Sequence, residues 1–130
     1  MARIMKLLLA VDGSRHTRRM LTYVVSNELL FRPDYGYVLF HAHDDDPDRS
    51  AGAAQILEES REFMRHHGFE PRCMQMPGDP ATLLVRVAAE LQCNLLIMGS
   101  RGQSPLESMV LGSVTASVLE RSHVPVLVVR

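Results

Sequence analysis

The run Ile4-Met-Lys-Leu-Leu-Leu-Ala-Val11, followed at once by Asp12-Gly13-Ser14, decides how the rest of the chain is read. A short apolar segment closed by turn residues is a strand, and Ser14 is the residue type that caps a helix N-terminus. A helix is predicted from there to about Leu30, with Met20, Leu21, Val24, Val25 and Leu29 on one face, before Pro33, Asp34 and Gly36 break the chain. Tyr37 to Ala42 reads as the second strand, and the acidic stretch Asp44-Asp45-Asp46-Pro47-Asp48 after His43 reads as loop. A second helix is expected over about 51–67 and is stopped by Gly68.

The same alternation continues to the end of the sequence. Glu70 to Met76 is a weaker strand with edge character, and Asp79-Pro80 is an N-cap with proline at the first helical position, opening a helix to about Leu91. Leu95 to Met98 is wholly apolar, as suits a strand covered on both faces. A glycine-bearing loop over 99–111 leads to a helix over about 113–121, and Val124 to Val129 closes the chain as a strand. Five strands and four helices in alternation, joined by right-handed crossovers, predict an α/β fold: an open five-stranded parallel sheet with helices on both faces.

The 130 residues are expected to form a single domain, 1–130, with 46% apolar and 22% charged residues, the balance of an ordinary globular core. A formal net charge of -1 provides no field to attract nucleic acid or anionic lipid, so neither is expected as a partner. The first apolar run is too short for a secretory core or a membrane span, which predicts a cytoplasmic protein. Two cysteines, Cys73 and Cys93, show no CxxC spacing and read as buried reduced thiols. Thirteen of the 14 basic residues are arginines, and the one lysine, Lys6, lies inside the first apolar run, which removes lysine chemistry from consideration.

In such a sheet ligands bind beyond the carboxyl ends of the strands, where strand order reverses. Three segments meet that description: Val11 to Ser14, His41 to His43, and Gly99-Ser100-Arg101-Gly102. Gly99 and Gly102 permit a tight backbone path, and the next helix opens with Gly112-Ser113, which together are the parts of a phosphate cradle. About four charge-assisted hydrogen bonds gross ~6–12 kcal/mol, against the ~8 kcal/mol that micromolar affinity requires, so a nucleotide is permitted. A P-loop is excluded because no lysine follows the last glycine, and a dinucleotide fingerprint because only Gly13 follows the first strand.

Read together, Gly99-x2-Gly102-x9-Gly112-Ser113 is similar to the G-2x-G-9x-G-(S/T) pattern of the nucleotide-binding branch of the universal stress protein family. Leu8 to Ser14, Phe40-His41-Ala42, Gly78-Asp79-Pro80 and His123 to Val129 resemble the family's first strand and turn, second strand end, third-helix entry and last strand. The resemblance implies a Rossmann-like sheet of order 3-2-1-4-5, of the adenine nucleotide alpha hydrolase-like type. It implies ATP as ligand, with Mg²⁺ to offset the acidic loop, and a stress-response regulator with at most slow hydrolysis. By the same resemblance Asp12 sits near the adenosine and ribose, and the Ala42 backbone contacts adenine. Gly99 and Gly102 hold ribose and phosphates, Gly112, Ser113, Val114 and Thr115 bind phosphate through amides and hydroxyls, and Arg101 lies exposed on the same loop. A homodimer is implied through the last strands; Val126, Leu127, Val128 and Val129 form an apolar edge that self-pairing would cover.

Other groupings have bland explanations. His41 and His43 share a strand face and with the aspartates after them could be drawn as a metal site, but by the resemblance His41 occupies a structural position; His66 and His67 complement a helix C-terminus, and the eight methionines mostly fill apolar faces. No metal site is assigned. Two further readings stay open: a nucleotide-free dimeric interaction module of the same fold, and a phosphohydrolase for which Asp12 is the one nameable base.

Overall fold

The computed structural model describes residues 4–44, 46–101 and 111–130. The elements are β1 (Lys6–Ala10), α1 (Arg15–Ser26), β2 (Gly36–His43), α2 (Pro47–Arg65), β3 (Arg72–Pro77), α3 (Pro80–Glu90), β4 (Leu95–Gly99), α4 (Ser113–Arg121) and β5 (Val126–Val129). All five strands run parallel in the order β3-β2-β1-β4-β5, so β1 is central and β3 and β5 are edges. This is the predicted Rossmann-like architecture.

Alternation along the strands divides the core in two. Leu7, Leu9, Leu39 and Ile97 pack against Met20, Leu21, Val24 and Val25 of α1 and Leu57 and Met64 of α2. Leu8, Phe40, Leu96 and Met98 face the other way onto Leu84, Val87 and Ala88 of α3 and Val118 of α4. Burying each of the three β1 leucines completely contributes about 1.5–3 kcal/mol, which makes this strand the anchor of both layers.

Cys93 is buried as expected, but Cys73 is exposed because it lies on the edge strand β3. Two boundaries also differ from the sequence expectation. Helix α1 ends at Ser26, because the Asn27 amide donates to the Tyr23 carbonyl (2.6 Å) and the Asn27 carbonyl accepts from Leu30 and Phe31. The chain then turns to bury Phe31 and leaves Leu29, expected on the apolar face, 100% exposed. Helix α2 starts at Pro47, inside the acidic stretch read as loop: Asp46 caps it by accepting from the Asp48 N–H (2.9 Å), and Asp48 sits in the first turn, where the helix dipole favours an acid.

Candidate functional site

The ends of β1 and β4 diverge at the centre of the sheet, because the chain leaves β1 toward β2 on one side and β4 toward β5 on the other. A cavity of about 190 Å³ opens there. Its floor and walls are apolar, from Ala10, Val11, Phe40, Ala42, Met98, Val114, Pro80 and Leu84; Asp12, Thr17, Arg101, Ser113 and Thr115 supply polar groups. Of the residues singled out in the sequence, Asp12, Ala42, Gly99, Arg101, Gly112, Ser113, Val114 and Thr115 all line this one cavity. Gly102, and Pro105 in the same loop, lie outside the described residues.

The β1 corner is tightly tied. Asp12 Oδ1 accepts from the Ser14 N–H (2.9 Å) and the Thr17 hydroxyl (2.6 Å), while the Asp12 N–H donates to Thr17 Oγ1 (3.0 Å). Ser14 caps α1 by accepting from the Thr17 N–H, and Gly13 takes φ 79°, which lets the turn form without strain. Across the sheet, His41 Nδ1 lies 2.6 Å from the Val11 carbonyl and must carry the hydrogen, since a carbonyl only accepts. The mouth of the cavity is thereby laced from β2 to β1. Thr17 was not anticipated here; its spacing from Asp12 across a cap residue was the available signal.

The opposite side is the start of α4. Helices α1, α2 and α3 each have a side-chain cap, from Ser14, Asp46 and Asp79, whereas α4 begins at Gly112, which has no side chain, and among the described residues no side chain caps it. The first amides of a helix have no partner inside it, so those at the head of α4 stand as donors beside the cavity. Two details refine the sequence reading. The Gly112 N–H already donates to the Ser100 carbonyl (2.8 Å), and the Thr115 hydroxyl, 2% exposed, donates to the Gly99 carbonyl (2.9 Å) and pins α4 to β4. Ser113 is the exposed hydroxyl at this helix start. Arg101, expected on the surface, is half-buried in the cavity wall.

Gly99 has a reason of its own. A Cβ there would lie 3.0 Å from both the Cβ and the carbonyl oxygen of His16, so glycine is demanded by the approach of α1. His16 is only 7% exposed, and its Nδ1 is buried without a hydrogen-bond partner. Burial pushes its pKa below the ordinary value; Arg101, Arg15 and Arg19 push the same way, and Asp12 opposes them. Sequence reasoning passed over this histidine. The visible signal was its position among arginines in the first turn of α1.

Among the described residues no three His, Cys, Asp or Glu side chains come together to hold a metal ion, and no helix is long and apolar enough to cross a membrane. A family model described as the universal stress protein family matches residues 3–130. Universal stress protein Slr1230 of Synechocystis is 30% identical over 130 residues, covering 98% of this chain and 43% of that protein. Universal stress protein MJ0577 of Methanocaldococcus jannaschii is 34% identical over 78 residues, 60% of this chain and 48% of that one. The chain thus spans about half the length of the curated relatives it matches. Among solved structures, that of hypothetical protein MJ0577 aligns with TM-score 0.86 at 25% identity, over 98% of this chain and 96% of its own. A universal stress protein solved in complex with cAMP aligns with TM-score 0.79 at 25% identity, over 99% and 98%.

Proposed function

The chain belongs to the universal stress protein family, and from that footing we propose that it is an adenine-nucleotide-binding regulator of the stress response, acting in the cytoplasm as a single-domain homodimer. The observation that carries the reading is the uncapped start of α4 standing beside an apolar cavity at the switch point of the sheet. Apolar walls suit a purine face, and helix amides that have no intrahelical partner suit phosphate. The relative solved with cAMP binds an adenine nucleotide on the same fold, which supports the choice of base.

In this reading Ala42 presents its backbone to adenine at the end of β2, and Asp12, held rigidly through Oδ1, accepts from the ribose. Gly99 and Gly102 shape the path of the sugar and phosphates, and the amides of Ser113, Val114 and Thr115, the Ser113 hydroxyl and Arg101 receive the phosphates. ATP is the expected ligand, with Mg²⁺ carried in by the nucleotide. Asp12 already accepts two hydrogen bonds on one oxygen, which suits an anchored acceptor better than a general base, so hydrolysis is at most slow. The edge strand β5 supplies the dimer contact through Val126, Leu127, Val128 and Val129.

Isothermal titration with ATP and Mg²⁺ at physiological salt tests the assignment. Saturable binding, abolished when Gly112 is replaced by a bulky residue in a protein that still melts cooperatively, is the expected result. No heat up to millimolar nucleotide would leave the nucleotide-free interaction module as the reading.

A further inference from the structure

A groove of about 470 Å³ separates α1 from α2, on the face of the sheet away from α3 and α4. Among the described residues it shares only Thr17 with the cavity at the switch point. Ile56, Ser60 and Phe63 follow one another at helical spacing on α2, so the small Ser60 leaves a gap between two large neighbours, and the buried Leu21 closes that gap from α1. Three polar groups around it are not used by the fold. Ser60 is 7% exposed, and its hydroxyl makes no hydrogen bond among the described residues. Arg18 and Glu59 line the same groove and enter no ion pair among the described residues, although Glu58 with Arg61 and Glu62 with Arg65 pair along α2. Glu59 accepts from the neutral Gln55 amide (3.2 Å), which leaves its charge unmatched.

We propose that this groove binds a free α-amino acid with an apolar side chain: Arg18 takes the carboxylate, Glu59 the ammonium group, Ser60 donates to a carboxylate oxygen, and Leu21, Ile56 and Phe63 receive the side chain. Charge selects this ligand over its nearest competitors. A fatty acid would match Arg18 and leave Glu59 partly desolvated without a partner, an amine would do the reverse, and a zwitterion satisfies both walls. The guanidinium fork fits a carboxylate, and the ammonium group on the adjoining carbon is then carried toward the opposite helix. The volume lies within the roughly 300–1,000 Å³ of small-molecule pockets, so branched and aromatic side chains have room. Both charged residues are open to water, which keeps affinity weak, on the order of millimolar. The site stands independently of the nucleotide reading.

The experiment follows the amide and methyl resonances of the full chain by NMR while L-leucine, N-acetyl-L-leucine, L-leucinamide and isoamyl alcohol are added separately to tens of millimolar. These probes carry both charges, the negative one, the positive one and neither. L-Leucine moves the resonances of Arg18, Leu21, Ile56, Ser60 and Phe63 saturably, and each singly charged compound binds roughly two- to five-fold more weakly, the value of one partly exposed ion pair. Arg18→Gln removes the preference for leucine over leucinamide and keeps the preference over the acetylated compound; Glu59→Gln does the reverse. Both side chains are exposed, so the variants fold. Shifts without saturation, shifts confined to the switch-point cavity, isoamyl alcohol binding as tightly as leucine, or variants that weaken every probe alike would each overturn the proposal. Groove resonances that move with protein concentration alone place a second copy there and overturn it as well. A chain that binds leucine and no ATP loses the nucleotide reading and keeps this one.

Discussion

Gly99→Ala isolates one contact. The added methyl would sit 3.0 Å from the His16 carbonyl oxygen and 3.2 Å from its carbonyl carbon, both backbone atoms at the start of a helix that cannot swing aside as a side-chain tip could. Overpacking of this kind costs about 1–3 kcal/mol. For a domain of this size that is roughly 4 °C per kcal/mol, so the midpoint should fall by about 4–12 °C. Gly52→Ala is the matched control: it adds the same methyl within α2, where nothing lies within 4 Å, and should raise stability by about 0.5–1 kcal/mol through the lower entropy of the unfolded chain. Nucleotide-free protein is melted by circular dichroism and by urea, with the slope compared between variants. The opposite signs are the prediction. If Gly99→Ala melts with the wild type, the helix contact is not what requires glycine, and the explanation reverts to backbone approach by a ligand.

Asp79 caps α3 by accepting from the Thr82 N–H (3.0 Å) and hydroxyl (2.7 Å), so Asp79→Ala should cost about 1 kcal/mol in urea unfolding. The same bonds, the backbone one foremost, hold its carboxyl below the ordinary carboxylate range. Its stabilisation is therefore complete above the unfolded value of 3.8 and is lost as pH falls through the folded one, and the variant should show a shallower loss at acid pH. His16 acts at a higher pH. Because its folded pKa is depressed below 6.5, the unfolded chain takes up the proton first, so stability holds above about 6.5 and declines below it. His16→Gln should remove that decline in unfolding curves collected across the range. Light scattering should return a dimer mass at micromolar concentration; a monomer would sink the assignment of β5 as a self-pairing edge.

The layers were legible because strand alternation and helix periodicity are properties of consecutive residues. Asp79-Pro80 was readable as a cap and first helical proline, and Asp46-Pro47 has the same chemistry. The second pair was hidden by its acidic neighbours, which look like loop until a helix dipole is there to receive them. Leu29 continued the apolar pattern of α1, yet the Asn27 side chain had already claimed a carbonyl and turned the chain. At the site, the sequence located the residues that meet at the cavity but not the hydrogen-bond traffic among them. That Thr115 serves Gly99, that Gly112 serves Ser100, and that His16 stands behind Gly99 are relations between segments distant along the chain, and no local pattern encodes them.

The wedge of His16 against Gly99 also constrains how the sequence can drift. The pair blocks a side chain at position 99 in any genetic background that keeps α1 where it is, since the obstruction is the His16 main chain and its Cβ. A lineage acquiring bulk at 99 must first shift the opening turn of α1, and that turn also anchors Asp12. The order of substitutions is therefore not free: changes in the helix have to precede changes in the strand, and the reverse path passes through a destabilised intermediate.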